Sequence, residues 1–213
     1  MSRVIVTLLF AAGIGSFAAA CMEGQAQRRT IGYDPTKPIA ARLLPGDIEV
    51  FVEKRGLPPM LSGSNDRPSF DEEIESLKQA EVTALIRAES LRSDLIEEGA
   101  WIQTTVVAHV DQLVQSKLRT PLGESFEFVW PAGSMRIAAV EVTTGSFPVF
   151  VPGEQYLVVL ITRPRLSPTM FFRVNAQGVL ERLKANDGRE WDLKTNLVGR
   201  KVSDVVQAVS RTK

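Results

Sequence analysis

The stretch WIQTTVVAHVDQLV, residues 101–114, sets Ile102, Thr104, Val106, Ala108 and Val110 against Gln103, Thr105, Val107, His109 and Asp111. Successive side chains of an extended chain point to opposite faces, so this period of two, with one mainly apolar side, predicts a long strand with one buried face. The pattern continues downstream. SFEFVW (125–130) puts Phe126, Phe128 and Trp130 on one face and is stopped by Pro131 and Gly133. RIAAVEVTTG (136–145), EQYLVVLITR (154–163), TMFFRVN (169–175) and GVLERL (178–183) follow, each bounded by Gly, Pro, Asn or Ser. Six or seven strands at this spacing predict a mainly β, α+β domain built as an antiparallel barrel or a sandwich. YLVVLIT (156–162) is apolar on both faces, which places it in the middle of a sheet or beneath a helix. NDG at 186–188 marks a tight turn.

Helical spacing flanks the strands. Ser69 and Glu72 form an S-x-x-E capping pattern, and Phe70, Ile74, Leu77 and Ala80 follow at intervals of four, three and three. They predict one amphipathic helix of about 11 residues, with a new strand beginning near Val82. Val202, Val205, Val206 and Val209 predict a short C-terminal helix with Ser203 as its N-cap. The region from 70 to 213 thus reads as one barrel-like domain with flanking helices.

Residues 27–69 carry six of the twelve prolines, which argues against long helices and central strands. Only DIEVFVEK (47–54) reads as a strand, with Ile48, Val50 and Val52 on one face. Residues 21–69 are therefore expected to be a Pro-rich tether with one docked strand, spanning roughly 40 Å if flexible.

Residues 1–20 open with a short segment carrying Arg3 and run through VIVTLLFAAGIGSFAAA, the composition of a signal peptide. Ala18, Ala19, Ala20 and Cys21 resemble the end of a bacterial lipoprotein leader, with Ala18 standing where that family usually carries leucine. The resemblance implies a chain anchored to the membrane by diacylated Cys21, and Met22 after it is compatible with outer-membrane sorting. Cleavage after Ala26, with small residues at Gly24 and Ala26, is the alternative; it makes the leader 1–26 and the product a soluble periplasmic or secreted protein.

A second resemblance covers residues 81 to about 183. GSFPVFVPGEQYLVVL (145–160), entered from a strand hairpin, is similar to a stretch of uncharacterised secreted bacterial domains of OB-like β-barrel type. It implies a small OB-like barrel of six to seven strands and carries no catalytic residues with it.

Composition narrows the chemistry. Basic and acidic residues balance at 25 each, and 24 against 25 without the first twenty residues, so no global field draws in nucleic acid. One cysteine and one histidine argue against an internal disulfide and a His-built metal site, and no cofactor is expected. His109 lies on a polar strand face without identifiable catalytic partners. The neighbours Glu72/Glu73 and Glu97/Glu98 point apart, whereas acid/base work on a glycoside needs two carboxylates facing across about 5–9 Å. Glu127 and Glu141 fall on outward strand positions. GIGS (13–16) and SRTK (210–213) imitate a phosphate loop and a nucleophile–lysine pair without the required context. Phe126, Phe128, Trp130, Phe147, Phe150, Phe171 and Phe172 are expected in the core, with a ligand groove as the alternative. The leading expectation is a non-enzymatic binding or structural module in the cell envelope. A carboxylate-based extracytoplasmic hydrolase and a protein-contact inhibitor or assembly subunit are the alternatives.

Overall fold

The computed structural model describes residues 26–54, 68–162, 165–191 and 195–211. Cys21, the leader and GIGS lie outside them. Among these residues ten strands and two α-helices run in the order β1 (Gln27–Gly32), β2 (Asp47–Glu53), α1 (Phe70–Gln79), β3 (Val82–Ile96), β4 (Trp101–Ser116), β5 (Ser125–Trp130), β6 (Gly133–Ile137), β7 (Val140–Thr144), β8 (Gln155–Thr162), β9 (Leu166–Val174), β10 (Leu180–Glu181) and α2 (Val202–Ser210). The domain is mainly β, as the alternation predicts.

The stretch at 101–114 forms most of β4, half of an antiparallel hairpin in which Val82 lies opposite Ser116 and Ile96 opposite Trp101. β3 alone has 15 residues, about 50 Å of extended chain. Its register shifts after Thr83, Leu85 and Ala88. Such bulges bend a strand and increase its twist, which is how one ladder comes to serve two cores.

Near its open end the hairpin lies inside a six-stranded sheet of order β10-β9-β8-β3-β4-β5. One face of that sheet buries Ala84, Ile86, Val106, Ala108, Phe128, Trp130, Phe150, Tyr156, Val158 and Phe171 together. The opposite face carries Leu85, Leu157, Val159 and Phe172 beneath Ile74 and Leu77 of α1 and Val205 and Val209 of α2. This explains the two-sided apolar run of β8: Tyr156, Val158 and Leu160 face one core, Leu157 and Val159 the other. The sheet curls until Trp130 of β5 meets Phe171 of β9 edge to face, with centroids 5.5 Å apart. Among the described residues no ladder joins β5 to β9, so the sheet does not close into a barrel. Trp191 packs across these two edges, 5.5 Å from Trp130 and 6.0 Å from Phe171.

The aromatic residues settle into these cores. Phe128, Trp130, Phe150 and Phe171 are buried in the first, with Phe126 and Phe147 packed at its margin, and Phe172 lies in the second. None of them is among the residues that line the cleft beside the turn at 151–154.

The closed end of the hairpin packs against a second sheet. Trp101 and Ile102 pack with Ile31, Ile39, Val50, Val52, Val140 and Val142. That sheet has the order β1-β2-β7-β6, with β1 parallel to β2 and β2 parallel to β7. Three expectations are corrected here. Residues 27–53 are not simply a tether with one strand, because β1 also pairs and the chain between β1 and β2 crosses over through a 3-10 turn at Ile39–Arg42. The pairing is not uniformly antiparallel. The single strand expected over 136–145 is a hairpin, turning at Ala138 and Ala139 with φ of +48° and +70°. Both residues of a two-residue type I′ turn need positive φ, which alanine adopts at a cost of about 1–2 kcal/mol, so the sequence carries no glycine or asparagine to announce it.

Both helices form where their spacing puts them. The Ser69–Glu72 capping box is made in both directions. Gln115 Nε2 donates to the carbonyls of Lys78 and Ala80 at 2.7 and 2.8 Å, satisfying the C-terminal end of α1. At α2 the N-cap is Lys201, without a side-chain hydrogen bond, and Ser203 sits inside the helix.

Two polar links hold the second sheet. Thr144, fully buried, donates its hydroxyl to the Ile102 carbonyl at 3.0 Å and accepts the Gly133 N–H at 3.2 Å. Gly133 itself lies so close to β4 that a Cβ would stand 2.5 Å from Thr104 Oγ1. Asp47, whose side chain is fully buried, holds Arg29 through two oxygens at 3.1 and 2.7 Å and accepts the Leu44 N–H. The Arg29 guanidinium keeps the Asp47 carboxyl below its ordinary range.

Thr144→Val retains the shape and removes the hydroxyl that links the Ile102 carbonyl to the Gly133 N–H; chemical denaturation should show a loss of about 1–3 kcal/mol. Gly133→Ala should destabilise as well, by forcing β6 away from Thr104. The contribution of Asp47 is complete above its unfolded value of about 3.9 and is lost as pH falls through the lower folded value. Melting temperatures measured from pH 5 to pH 2 should fall less steeply in Asp47→Asn than in the natural chain.

Candidate functional site

The VPGE stretch, residues 151–154, supplies the organising turn of the candidate site. Pro152 fixes φ at the second position, Gly153 takes φ +85° at the third, and the Glu154 N–H bonds the Val151 carbonyl at 3.2 Å, a type II arrangement. The Gly153 N–H donates to the Ala88 carbonyl at 2.7 Å and the Ala88 N–H to the Glu154 carbonyl at 3.1 Å, which docks the turn at the β3 bulge beside Ala88, the third of the ladder.

Above this turn lies a cleft of about 640 Å³, within the range of small-ligand sites. Its second wall is the segment after β10. Lys184 and Ala185 of that segment pair on one side with Pro148 and Val149, and on the other with Arg189 and Glu190 around the turn at 186–188. β8 and β9 supply Tyr156 and Arg173.

A chain of hydrogen bonds orders one wall. The Val151 N–H donates to the Tyr156 hydroxyl at 2.7 Å, and that hydroxyl donates to Glu154 Oε2 at 3.2 Å. Glu154 Oε1 accepts from Arg173 Nη2 at 2.6 Å. Arg173 Nη1 stands 4.0 Å from Glu181 Oε2, and Glu181 Oε1 accepts from Asn175 Nδ2 at 2.7 Å. Across the cleft Arg182 Nη1 reaches Glu190 at 3.2 Å, and its Nε is buried without an acceptor among the described residues. Burial pushes the Tyr156 phenol up to about 12, with the Glu154 carboxylate adding to the effect. It is a neutral donor throughout the physiological range.

The rim is apolar. Val149, Val151 and Val198 line the cleft and keep 38%, 43% and 36% of their surface exposed. Three of the large apolar side chains that the fold leaves in water therefore gather at one opening.

Residues considered from the sequence lie elsewhere. His109 is half-buried, opposite Arg87 on β3 and Ser125 on β5. Asp111, near it, is engaged by Arg87 at 3.0 Å and Gln155 at 2.6 Å. Glu72 serves the capping box, but Glu73 is buried rather than solvated, accepting the Asn196 N–H at 2.8 Å. Burial is forced on it because the chain around Asn196 folds over the first turn of α1, with Asn196 Nδ2 bonded to the Pro68 carbonyl.

Glu97 and Glu98 form the hairpin tip at φ +51° and +54°, both exposed. Glu97 accepts the Tyr33 hydroxyl and lies 3.7 Å from Lys54, which sits 4.3 Å above the Tyr33 ring. Hydrogen bonding to Glu97 raises the Tyr33 phenol. Glu127 and Glu141 are exposed, as alternation implies. Of SRTK, Ser210 ends α2, Arg211 is exposed, and Thr212 and Lys213 lie outside the described residues. No group of three or more His, Cys, Asp or Glu side chains is placed to hold a metal ion among the described residues, and no described helix is long and apolar enough to cross a membrane.

No family model, curated protein or solved structure matches the chain. Its site is thus defined by geometry alone. Sequence reasoning overlooked Arg173, Glu181, Arg182 and Lys184. The legible signal was VPGE followed by Tyr156, a turn that obliges Glu154 to face the tyrosine.

Absorbance titration at 295 nm should find fewer than half of the phenols ionised at pH 10, the ordinary tyrosine value, because both tyrosines are raised. Tyr156→Phe should remove the component titrating at about 12. Stability linked to this raised group is complete below pH 10 and is lost as pH rises through about 12.

Proposed function

We propose that this chain is an exported, envelope-associated module that works by binding rather than by catalysis, with the cleft between residues 149–156 and 181–190 as its binding site. The observation that carries the reading is that each carboxylate of the cleft faces an arginine: Glu154 and Glu181 face Arg173, and Glu190 faces Arg182. A general base or nucleophile needs an unengaged group whose proton affinity lies near the working pH. Tyr156, pushed up to about 12, is suited to donating a hydrogen bond and not to taking a proton. Exposed valines beside such groups suit a ligand that is held in place.

The fold proposed for this module is an OB-like barrel left open on one side. The order β9-β8-β3-β4-β5 supports this, because it is that of a five-stranded Greek-key barrel parted between its third and fifth strands. The β6–β7 hairpin then occupies the connection between the third and fourth barrel strands. The envelope location rests on the leader and on Cys21 after Ala18–Ala20.

Two measurements test the proposal. The mass of the mature N-terminus should correspond to diacylglyceryl-Cys21; a chain starting at Gln27 rejects the anchor and leaves a soluble exported protein. Purified protein offered ester, glycoside and peptide substrates should show no turnover that depends on the cleft. Turnover abolished by Glu154→Gln in a folded variant overturns the binding reading.

A further inference from the structure

We propose that the cleft takes a short, uncharged peptide segment with apolar side chains, bound in extended form; the inference rests on the binding reading above. Charge is the first argument. Arg173, Arg182 and Lys184 stand against Glu154, Glu181 and Glu190, so the lining is neutral overall and offers no field to a polyanion or a strongly cationic ligand. Yet the walls are rich in directed polar groups. Carboxylates accept N–H donors and guanidinium groups donate to carbonyls, and a peptide main chain carries both in alternation without carrying charge.

Exposed apolar surface is the second and independent argument. Val149, Val151 and Val198 stay more than a third exposed around this one opening. Side chains of an extended peptide alternate between two faces, so one set covers the valines while the main chain meets the charged walls. A saccharide supplies the polar groups but little apolar surface. A fatty acid supplies the apolar surface and a single anionic head, which leaves the three carboxylates of the cleft facing hydrocarbon or negative charge.

The arrangement also pre-orders the binding groups. Glu154 is oriented by Tyr156 and Arg173, and Arg173 by Glu154 and Glu181, so little side-chain freedom remains to be lost on binding.

The test is a titration of the mature chain carrying labelled valine methyl groups, followed by NMR. The probes are acetyl-Val-Ala-Val-Ala-amide, octanoate and a neutral trisaccharide, each added separately. The peptide should give saturable shifts at Val149, Val151 and Val198, with a dissociation constant on the order of micromolar to millimolar for so small a surface. Val151→Glu and Val198→Glu, both at exposed positions, should each weaken binding at least tenfold. Leu91→Glu, at an exposed position on β3, should leave it unchanged.

Absence of saturable shifts with the peptide overturns the proposal, as does equal binding by the Val151 and Val198 variants. Shifts at the same valines with octanoate or trisaccharide, and none with peptide, overturn the peptide class while leaving a binding module. Cleavage of the peptide at a rate dependent on Glu154 overturns the binding reading itself.

Discussion

The β3–β4 ladder is the constraint on which the rest of the molecule depends. One continuous set of backbone hydrogen bonds, from Val82 opposite Ser116 to Ile96 opposite Trp101, passes from one core into another. Ile86, Val106 and Ala108 belong to the aromatic core of the large sheet, whereas Trp101 and Ile102 belong to the core of the small one. Because the side-chain period of a strand is two, a slip of one residue anywhere along this ladder would turn both cores outward together. The three bulges let the same hairpin change direction, each shifting the register by one residue.

The cleft depends on this ladder through β3. The VPGE turn is held by hydrogen bonds to Ala88, at the third bulge, and the turn in turn orients Glu154 toward Tyr156 and Arg173. Its opposite wall, the segment from Arg182 to Glu190, is fixed partly by Trp191, which packs on Trp130 and Phe171. One aromatic contact therefore covers the seam between β5 and β9 and places a wall of the site. Opening that seam would disturb both.

Strands whose alternation is strong were legible in the sequence, and β4, β5, β8 and β9 lie where the period places them. So were α1, with its capping box, and the partition of β8 between two layers. What escaped was information that local pattern does not contain. QRRTIG, which forms β1, has one buried residue, Ile31, and owes its strand conformation to pairing with β2. The turn at Ala138 and Ala139 uses the rarer backbone region with residues that do not advertise it. The candidate site was legible only at VPGE and Tyr156. Arg173, Arg182 and Glu181 read locally as outward, solvated positions, and only the approach of β9 and β10 to the loop before β8 makes them converge.

The parallel pairing of β2 with β7 has a kinetic consequence. Val50 lies opposite Val142, and the whole β3–β4 hairpin and β5 intervene between them. Closing so long a loop is entropically costly, and contacts of large sequence separation form late in folding. β2 can pair with β1 early but finds β7 among the last. During that interval the apolar faces of β2 and of the hairpin tip are uncovered together, which makes the small sheet the part of the molecule most exposed to chaperone capture and to aggregation.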